Sequence, residues 1–299
     1  MLRPTLCLVC LLVLAPVAAR ADDAGATAAV ASEAQPVDGS GGSGGGPGKL
    51  GGLVVFLDAG HGGKQDGAVG ARGQKEKDVA LQVVQRLKGE LEKSGAKVLL
   101  TREADVDVDL WHRMTRANEA KADLFVSVHC NAMPYGRARA VTRGIETYFL
   151  SADATDEQAQ RVVARENGEA KRLKRSVDPL ASILDDLAQT EAHHDASAFA
   201  YAVHQQIVED LGAADRGVQQ APFIVLMGAQ MPAILVEVGF LSHPEESKLL
   251  SDKDYQARIA ASLVRAIVSF GESGKRHKAL APVARPAGPK AAAEAKHAR

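Results

Sequence analysis

LVVFLDAGHGG, Leu53 to Gly63, is the stretch that decides the fold. Its apolar residues run up to Asp58 without polar alternation, the mark of a strand covered on both faces, as in a parallel sheet. His61 follows that strand in a glycine-rich loop. Two later segments have the same build. LFVSVH, Leu124 to His129, is an apolar run closed by a histidine, and AILVEV, Ala233 to Val238, carries Glu237. A carboxylate inside MPAILVEVGFL needs a partner if it is to be buried.

Between these strands the pattern takes a helical period. Asp78 to Lys93 puts Val79, Ala80, Val83, Val84, Leu87 and Leu91 on one face, and Gly95 stops it. Lys97 to Thr101 reads as a strand, Leu110 to Lys121 as a helix, and Gly144 to Leu150 (GIETYFL) as a fourth strand. Asp156 to Leu211 lacks a strand pattern and reads as two or three helices. Phe223 to Leu226 and Ala233 to Val238 supply two more strands, and a helix from about Asp254 to Phe270 closes the domain. Strands alternating with helices predict an α/β fold: a three-layer domain with a largely parallel twisted sheet flanked by helices. A helical insertion falls between the fourth and fifth strands.

In such sheets, ligands bind beyond the carboxyl ends of the strands. His61 follows the first strand, His129 ends the third and Glu237 ends the last, so all three are expected at one edge. The glycine-rich loop brings Glu76, in QKEKD, to the same place at the N-terminus of a helix, where the macrodipole favours a carboxylate. Two imidazoles and a carboxylate are a common ligand set for catalytic zinc. They leave one position open for water, and a second carboxylate can handle protons. The pattern predicts metal-assisted hydrolysis. AGHGGKQDGAVGARGQ lacks the Gly-Lys-Ser/Thr ending of a phosphate cradle and the dinucleotide spacing. Its glycines are expected to let backbone pass close to an occupied site. His112, His193, His194, His204, His243, His277 and His297 are expected to be packing or surface residues.

The composition is that of an ordinary globular protein. Of 299 residues, 46% are hydrophobic and 24% charged, with a formal net charge of -1. No basic excess points to nucleic acid. Residues 1–21 read as a signal peptide: Arg3, an apolar run from Leu6 to Ala19, then Ala19-Arg20-Ala21 for cleavage before Asp22. The run falls short of the about 20 apolar residues of a membrane span, and a transmembrane anchor is the rival reading. Residues 22–51 read as a flexible Gly/Ala/Ser linker, 52–270 as the working domain, and 271–299 as a disordered basic Ala/Pro tail. The tail's alternative is weak attachment to an anionic surface. Loss of the leader leaves Cys130 as the one cysteine, so neither an intramolecular disulfide nor a cysteine metal cluster is available. A monomer exported to the periplasm or cell wall is expected.

Taken in order, DAGHGG, KEKDVAL, TREAD with LWHRMTRAN, SVHCNA and MPAILVEVGFLSHPEE resemble the zinc-dependent N-acetylmuramoyl-L-alanine amidases of the Amidase_3 type, from about Leu53 to Phe270. The resemblance implies one zinc ion held by His61, Glu76 and His129, with Glu237 as the catalytic carboxylate. It implies a cell-wall hydrolase of cell division whose substrate is peptidoglycan. The bond cut is the amide between the lactyl group of N-acetylmuramic acid and L-alanine of the stem peptide. Asn131 and Arg102 are candidate substrate contacts. Ala59 stands where the family usually has proline, and Cys130 where alanine is usual. Neither removes a ligand, but Cys130 adds a soft sulfur close to the metal. The rivals are a zinc peptidase cutting within the stem peptide and a non-catalytic peptidoglycan-binding module.

Some members of that group carry, at the place of the insertion, a helix that plugs the cleft and offers a carboxylate to zinc. ARENGEAKRL and LASILDDLAQTEA, within 156–200, resemble it. Glu166 is then the autoinhibitory candidate, and Glu169 lies one helical turn away on the same face. The implied partner is a LytM-domain activator protein that binds around Leu180, Ile183, Leu184 and Leu187. The alternative is a plain packing layer.

Overall fold

The computed structural model describes residues 50–70, 72–168 and 191–280. The expected leader, the linker up to residue 49, the tail from 281, and the Glu169 and Leu180–Leu187 parts of the insertion lie outside them. The strands are β1 (Val54–Ala59), β2 (Lys97–Leu100), β3 (Leu124–Asn131), β4 (Ile145–Leu150), β5 (Asp215–Ala221) and β6 (Ala233–Phe240). The helices are α1 (Glu76–Lys93), α2 (Leu110–Glu119), the single turn α3 (Ala138–Val141), α4 (Glu157–Glu166), α5 (Glu191–Leu211), α6 (Pro244–Leu250) and α7 (Lys253–Leu280).

The six strands form one sheet in the order β2-β1-β3-β6-β4-β5. β4 runs antiparallel to β6, and every other pairing is parallel. Side chains alternate across a strand, so each face needs its own cover. One face packs Val55, Leu57, Val126 and Ile234 against Leu87 and Leu91 of α1, Phe199 and Ile207 of α5, and Ile259 and Leu263 of α7. The other packs Phe56, Phe125, Tyr148 and Leu235 against Leu110 and Met114 of α2, Val162 of α4, and Phe223 to Leu226. The result is the expected three-layer architecture, with a mixed, mostly parallel sheet. Among the described residues, no helix is long and apolar enough to cross a membrane.

Several boundaries differ from the sequence reading. Phe223 to Leu226 is not a strand: Ile224–Leu226 is a 3-10 turn. The fifth strand is instead DRGVQQA, an edge strand whose pattern is mostly half-exposed, so it carries no apolar run to betray it. Helix α6 was not foreseen; His243 caps it, its ring accepting from the backbone N–H of Glu245 and Glu246. The domain also begins before residue 52. Leu50 is fully buried in the core and its N–H donates to Ser94, so the linker reading runs two residues too far. At the other end α7 continues to Leu280, past the tail boundary drawn at 271.

One buried ion pair sets the working edge of the sheet. Asp58, near the end of β1, accepts from Arg113 at 2.8 Å and from the hydroxyls of Thr101 and Ser127, each at 2.6 Å. Burial alone would raise this carboxyl's pKa, but Arg113 and the two hydroxyls hold it below the ordinary value. Arg113 also donates to the carbonyls of Ala59 and His61. The pair therefore fixes the backbone on either side of Gly60.

Candidate metal centre

His61 leaves β1 in a left-handed conformation, φ 59°, a region that costs a non-glycine residue about 1–3 kcal/mol unless its surroundings hold it. Arg113 does so from one side. Arg102 does so from the other, donating to the carbonyls of Ala59, Gly60, Lys77 and Ala104. The expectation of Arg102 as a substrate contact is thereby corrected: the side chain is buried and its donors brace the loop. The glycines have the steric role expected of them. A Cβ on Gly60 would collide with the His129 ring, and one on Gly67 would lie 2.6 Å from Glu76 Oε2.

Glu76 is the first residue of α1 and is fully buried. Its oxygens accept from the backbone N–H of Ala68 at 2.7 Å and of Cys130 at 2.9 Å. His129 lies inside β3 rather than at its end, just before a register irregularity at His129/Asn131. Glu237 likewise lies inside β6, paired with His129 on one side and Glu146 of β4 on the other. The neighbour Cys130 is fully buried and belongs to the core formed with α1 and α7. Burial, with the carboxylates of Glu76 and Glu237 nearby, pushes its thiol pKa well above the ordinary value.

His61, Glu76, His129 and Glu166 converge. Each offers one ligand atom, and these atoms lie within 4.8 Å of one another. His61 Nε2 is 3.1 Å from Glu76 Oε2 and 3.0 Å from Glu166 Oε2, and His129 Nδ1 is 2.9 Å from Glu76 Oε1 and 3.0 Å from Glu166 Oε2. Yet His61 Nε2 and Glu166 Oε2 are buried without a hydrogen-bond partner of acceptable geometry. Buried polar atoms aimed at a common point, rather than at each other, fit a cation between them.

The electrostatics agree. Burial works against charge on His61, but the carboxylates of Glu76 and Glu166 outweigh it and raise its pKa to about 9. His129 is pushed the same way, again against burial, by Glu166 and Glu76. Facing two carboxylates, the imidazoles either carry protons or give those protons up to a metal cation that takes their place. Glu237 behaves oppositely: burial, with Glu166 and Glu76 nearby, raises its pKa well above the ordinary value, although Arg165 opposes this. Such a carboxyl is suited to holding and passing a proton.

The last turn of α4 supplies two groups. Glu166 was singled out from the sequence, but Arg165 was not. Its guanidinium donates to Glu166 Oε1 at 2.6 Å, Glu237 Oε1 at 3.1 Å, Asn131 Oδ1 at 3.0 Å and the Ala132 carbonyl at 3.2 Å. Asn131 lies beside Arg165, and its amide donates to Glu146 at 2.6 Å. Glu146 escaped the sequence reading, although it sits in the apolar run GIETYFL just as Glu237 sits in its own. That placement was the available signal.

Comparison with known proteins places this geometry in a family. The chain is 33% identical over 230 residues to the N-acetylmuramoyl-L-alanine amidase AmiC of Escherichia coli O6:H1, a match covering 74% of this chain and 54% of AmiC. It is 31% identical over 225 residues to AmiA of Escherichia coli K12, covering 74% of this chain and 76% of AmiA. The match thus spans about half the length of AmiC and three quarters of AmiA. The crystal structure of an N-acetylmuramoyl-L-alanine amidase from Clostridium difficile 630 superposes with a TM-score of 0.57 at 28% identity, over 74% of this chain and 97% of that one. AmiC2 of Nostoc punctiforme gives 0.56 at 30% identity, over 75% and 98%. Residues 55–269 match the Amidase_3 description, N-acetylmuramoyl-L-alanine amidase, and the chain belongs to that family.

Proposed function

We propose that the protein is a zinc-dependent peptidoglycan amidase that cuts between the lactyl group of N-acetylmuramic acid and L-alanine, held closed by its own α4. The observation that carries this reading is the convergence of His61, Glu76, His129 and Glu166 on one point beside a protonatable, buried Glu237. Imidazole and carboxylate donors suit zinc. His61, Glu76 and His129 would hold the ion, and Glu166 would fill the position that substrate needs. A zinc ion bound there supplies Lewis acidity, polarising the amide carbonyl and acidifying water. Glu237 takes up the proton that water gives and returns it to the departing amine. Asp58, Arg113 and Arg102 keep His61 in its left-handed turn. The substrate lies outside the cytoplasm, so this reading puts the protein in the periplasm or wall, in keeping with the leader-like first 21 residues. A LytM-domain protein that withdraws α4 is the proposed activator.

Product analysis tests the reaction. Sacculi digested by protein whose plug has been displaced should yield intact stem peptides with free L-alanine amino termini. Shortened stems would instead mean a peptidase, and binding without solubilisation a wall-binding module. The ligand roles have a separate test. His61→Ala and His129→Ala should each lose zinc and activity together, read by metal analysis of the purified proteins. Full zinc occupancy in either variant would remove that histidine from the ligand set.

A further inference from the structure

Arg165 and Glu166 are consecutive, and they fill the two halves of the cleft with opposite charges. The carboxylate of Glu166 joins the two histidines and Glu76. The Arg165 guanidinium covers a patch made only of acceptors: Glu237 Oε1, Asn131 Oδ1 and the Ala132 carbonyl. Hydrolysis of an amide produces the same pair at adjacent atoms, a carboxylate and an amine. Three acceptors also match the three N–H groups of a primary ammonium.

The acceptor character of Asn131 is imposed from beneath. Glu146 is 1% exposed and takes donors from three sides: Asn131 Nδ2 at 2.6 Å, Tyr148 Oη at 2.9 Å and Arg216 Nε at 2.7 Å. With Tyr148 and Arg216 both donating to Glu146, its oxygens serve as acceptors, and Asn131 turns its Nδ2 to Glu146 and its Oδ1 to the cleft. The Ala132 N–H donates to that Oδ1 at 2.7 Å and holds it there.

We propose that Glu237, Asn131 Oδ1 and the Ala132 carbonyl form the subsite that receives the leaving amino group of the cleaved amide. Glu146 is its positioning residue, and Arg165 occupies the subsite in the closed protein as a mimic of that amine. The inference rests on the amidase reading, which identifies the amine as that of L-alanine. α4 is then a product mimic with a carboxylate in one subsite and a cation in the other. In the open protein the subsite would hold the freed amine beside the carboxyl that protonates it, using three acceptors where the nitrogen of the uncleaved or acetylated amide offers only one N–H.

The test uses the full-length, zinc-loaded protein carrying Arg165→Ala and Glu166→Ala, with and without Asn131→Leu. Peptide release from sacculi is measured against three inhibitors: L-Ala-D-isoglutamine with a free amino group, the same dipeptide N-acetylated, and N-acetylmuramic acid as the carboxylate-side probe. The free amine should inhibit at least tenfold more strongly than its acetylated form. Asn131→Leu should weaken inhibition by the free amine about tenfold, with zinc content and inhibition by N-acetylmuramic acid unchanged. Glu146→Gln, which can offer a donor and let the Asn131 amide flip, should act in the same direction but less strongly. Equal inhibition by free and acetylated dipeptide would overturn the subsite. So would an Asn131→Leu effect of equal size on both half-products, because that is what a loosened cleft gives. If the opened parent releases no stem peptide at all, the amidase reading falls and the subsite with it.

Discussion

Glu237→Gln should leave zinc in place and lower turnover by about 10²–10⁴-fold, the usual worth of a positioned proton-transfer group. Glutamine keeps the size of the side chain, and its carbonyl oxygen can still accept from Arg165, which contacts Glu237 at 3.1 Å. It cannot take a proton. The position is fully buried, so water has little room to substitute for the carboxyl. Glu237 also stands outside the four residues whose ligand atoms converge, so metal retention should be unaffected. The comparison is best made where α4 has already been weakened by Glu166→Ala, with single-turnover release of stem peptide and metal content read on the same samples. A Glu237→Gln protein that emerges without zinc would make Glu237 a ligand and withdraw its role as base.

Glu166→Ala should raise activity in the absence of any activator. The variant removes a carboxylate facing both His61 and His129 at 3.0 Å and breaks the 2.6 Å contact with Arg165. A hydrogen bond to a charged group contributes about 1.5–3 kcal/mol. Losing about 2 kcal/mol from the closed state raises a small open population some 30-fold. Glu157→Ala is the control, since that carboxylate is on the same helix, 86% exposed and bridged to Arg161. Dye release from labelled sacculi reads all three proteins. High and equal activity in every one would mean that α4 never blocked the cleft, and a Glu166→Ala protein no faster than wild type would mean that Glu166 is not what closes it.

The legible part of this molecule was the part where physical chemistry leaves few choices. Strands β1, β3 and β6 are buried on both faces, so their apolar runs were visible, and the sheet rule then gathered His61, His129 and Glu237 at one edge. Glu76 was placed beside them by the glycine-rich loop, Glu166 came into view with the family resemblance, and the structure brings both to the two histidines. Edge strand β5 was not visible, because an edge needs no continuous apolar run and Gln219 and Gln220 serve there as well as valine would. Phe223 to Leu226 misled for the complementary reason: these residues are apolar because they cover α2, and burial alone does not distinguish a strand from a turn. Arg165 carries no mark at all in the sequence. An arginine on a polar helix is usually solvated, and only the arrangement of acceptors around it shows otherwise. Glu146 was within reach, had the rule applied to Glu237 been applied to every charge in an apolar strand.

The placement of Arg165 and Glu166 on the chain itself has a further consequence. If α4 is the inhibitor proposed above, it is tethered, so its effective concentration at the cleft is on the order of millimolar however dilute the protein is. Asn167, the next residue, strengthens the tether, donating to the Pro222 carbonyl at 2.8 Å and accepting from the Ile224 N–H at 3.0 Å. A wall polymer is immobile and presents its scissile bonds one at a time, so its abundance would compete poorly with an inhibitor at such an effective concentration. Adding more protein leaves the closed fraction unchanged, because every copy brings its own inhibitor. On that reading the open fraction of each copy does not change with protein concentration, and the rate per copy answers to whatever works on the tether.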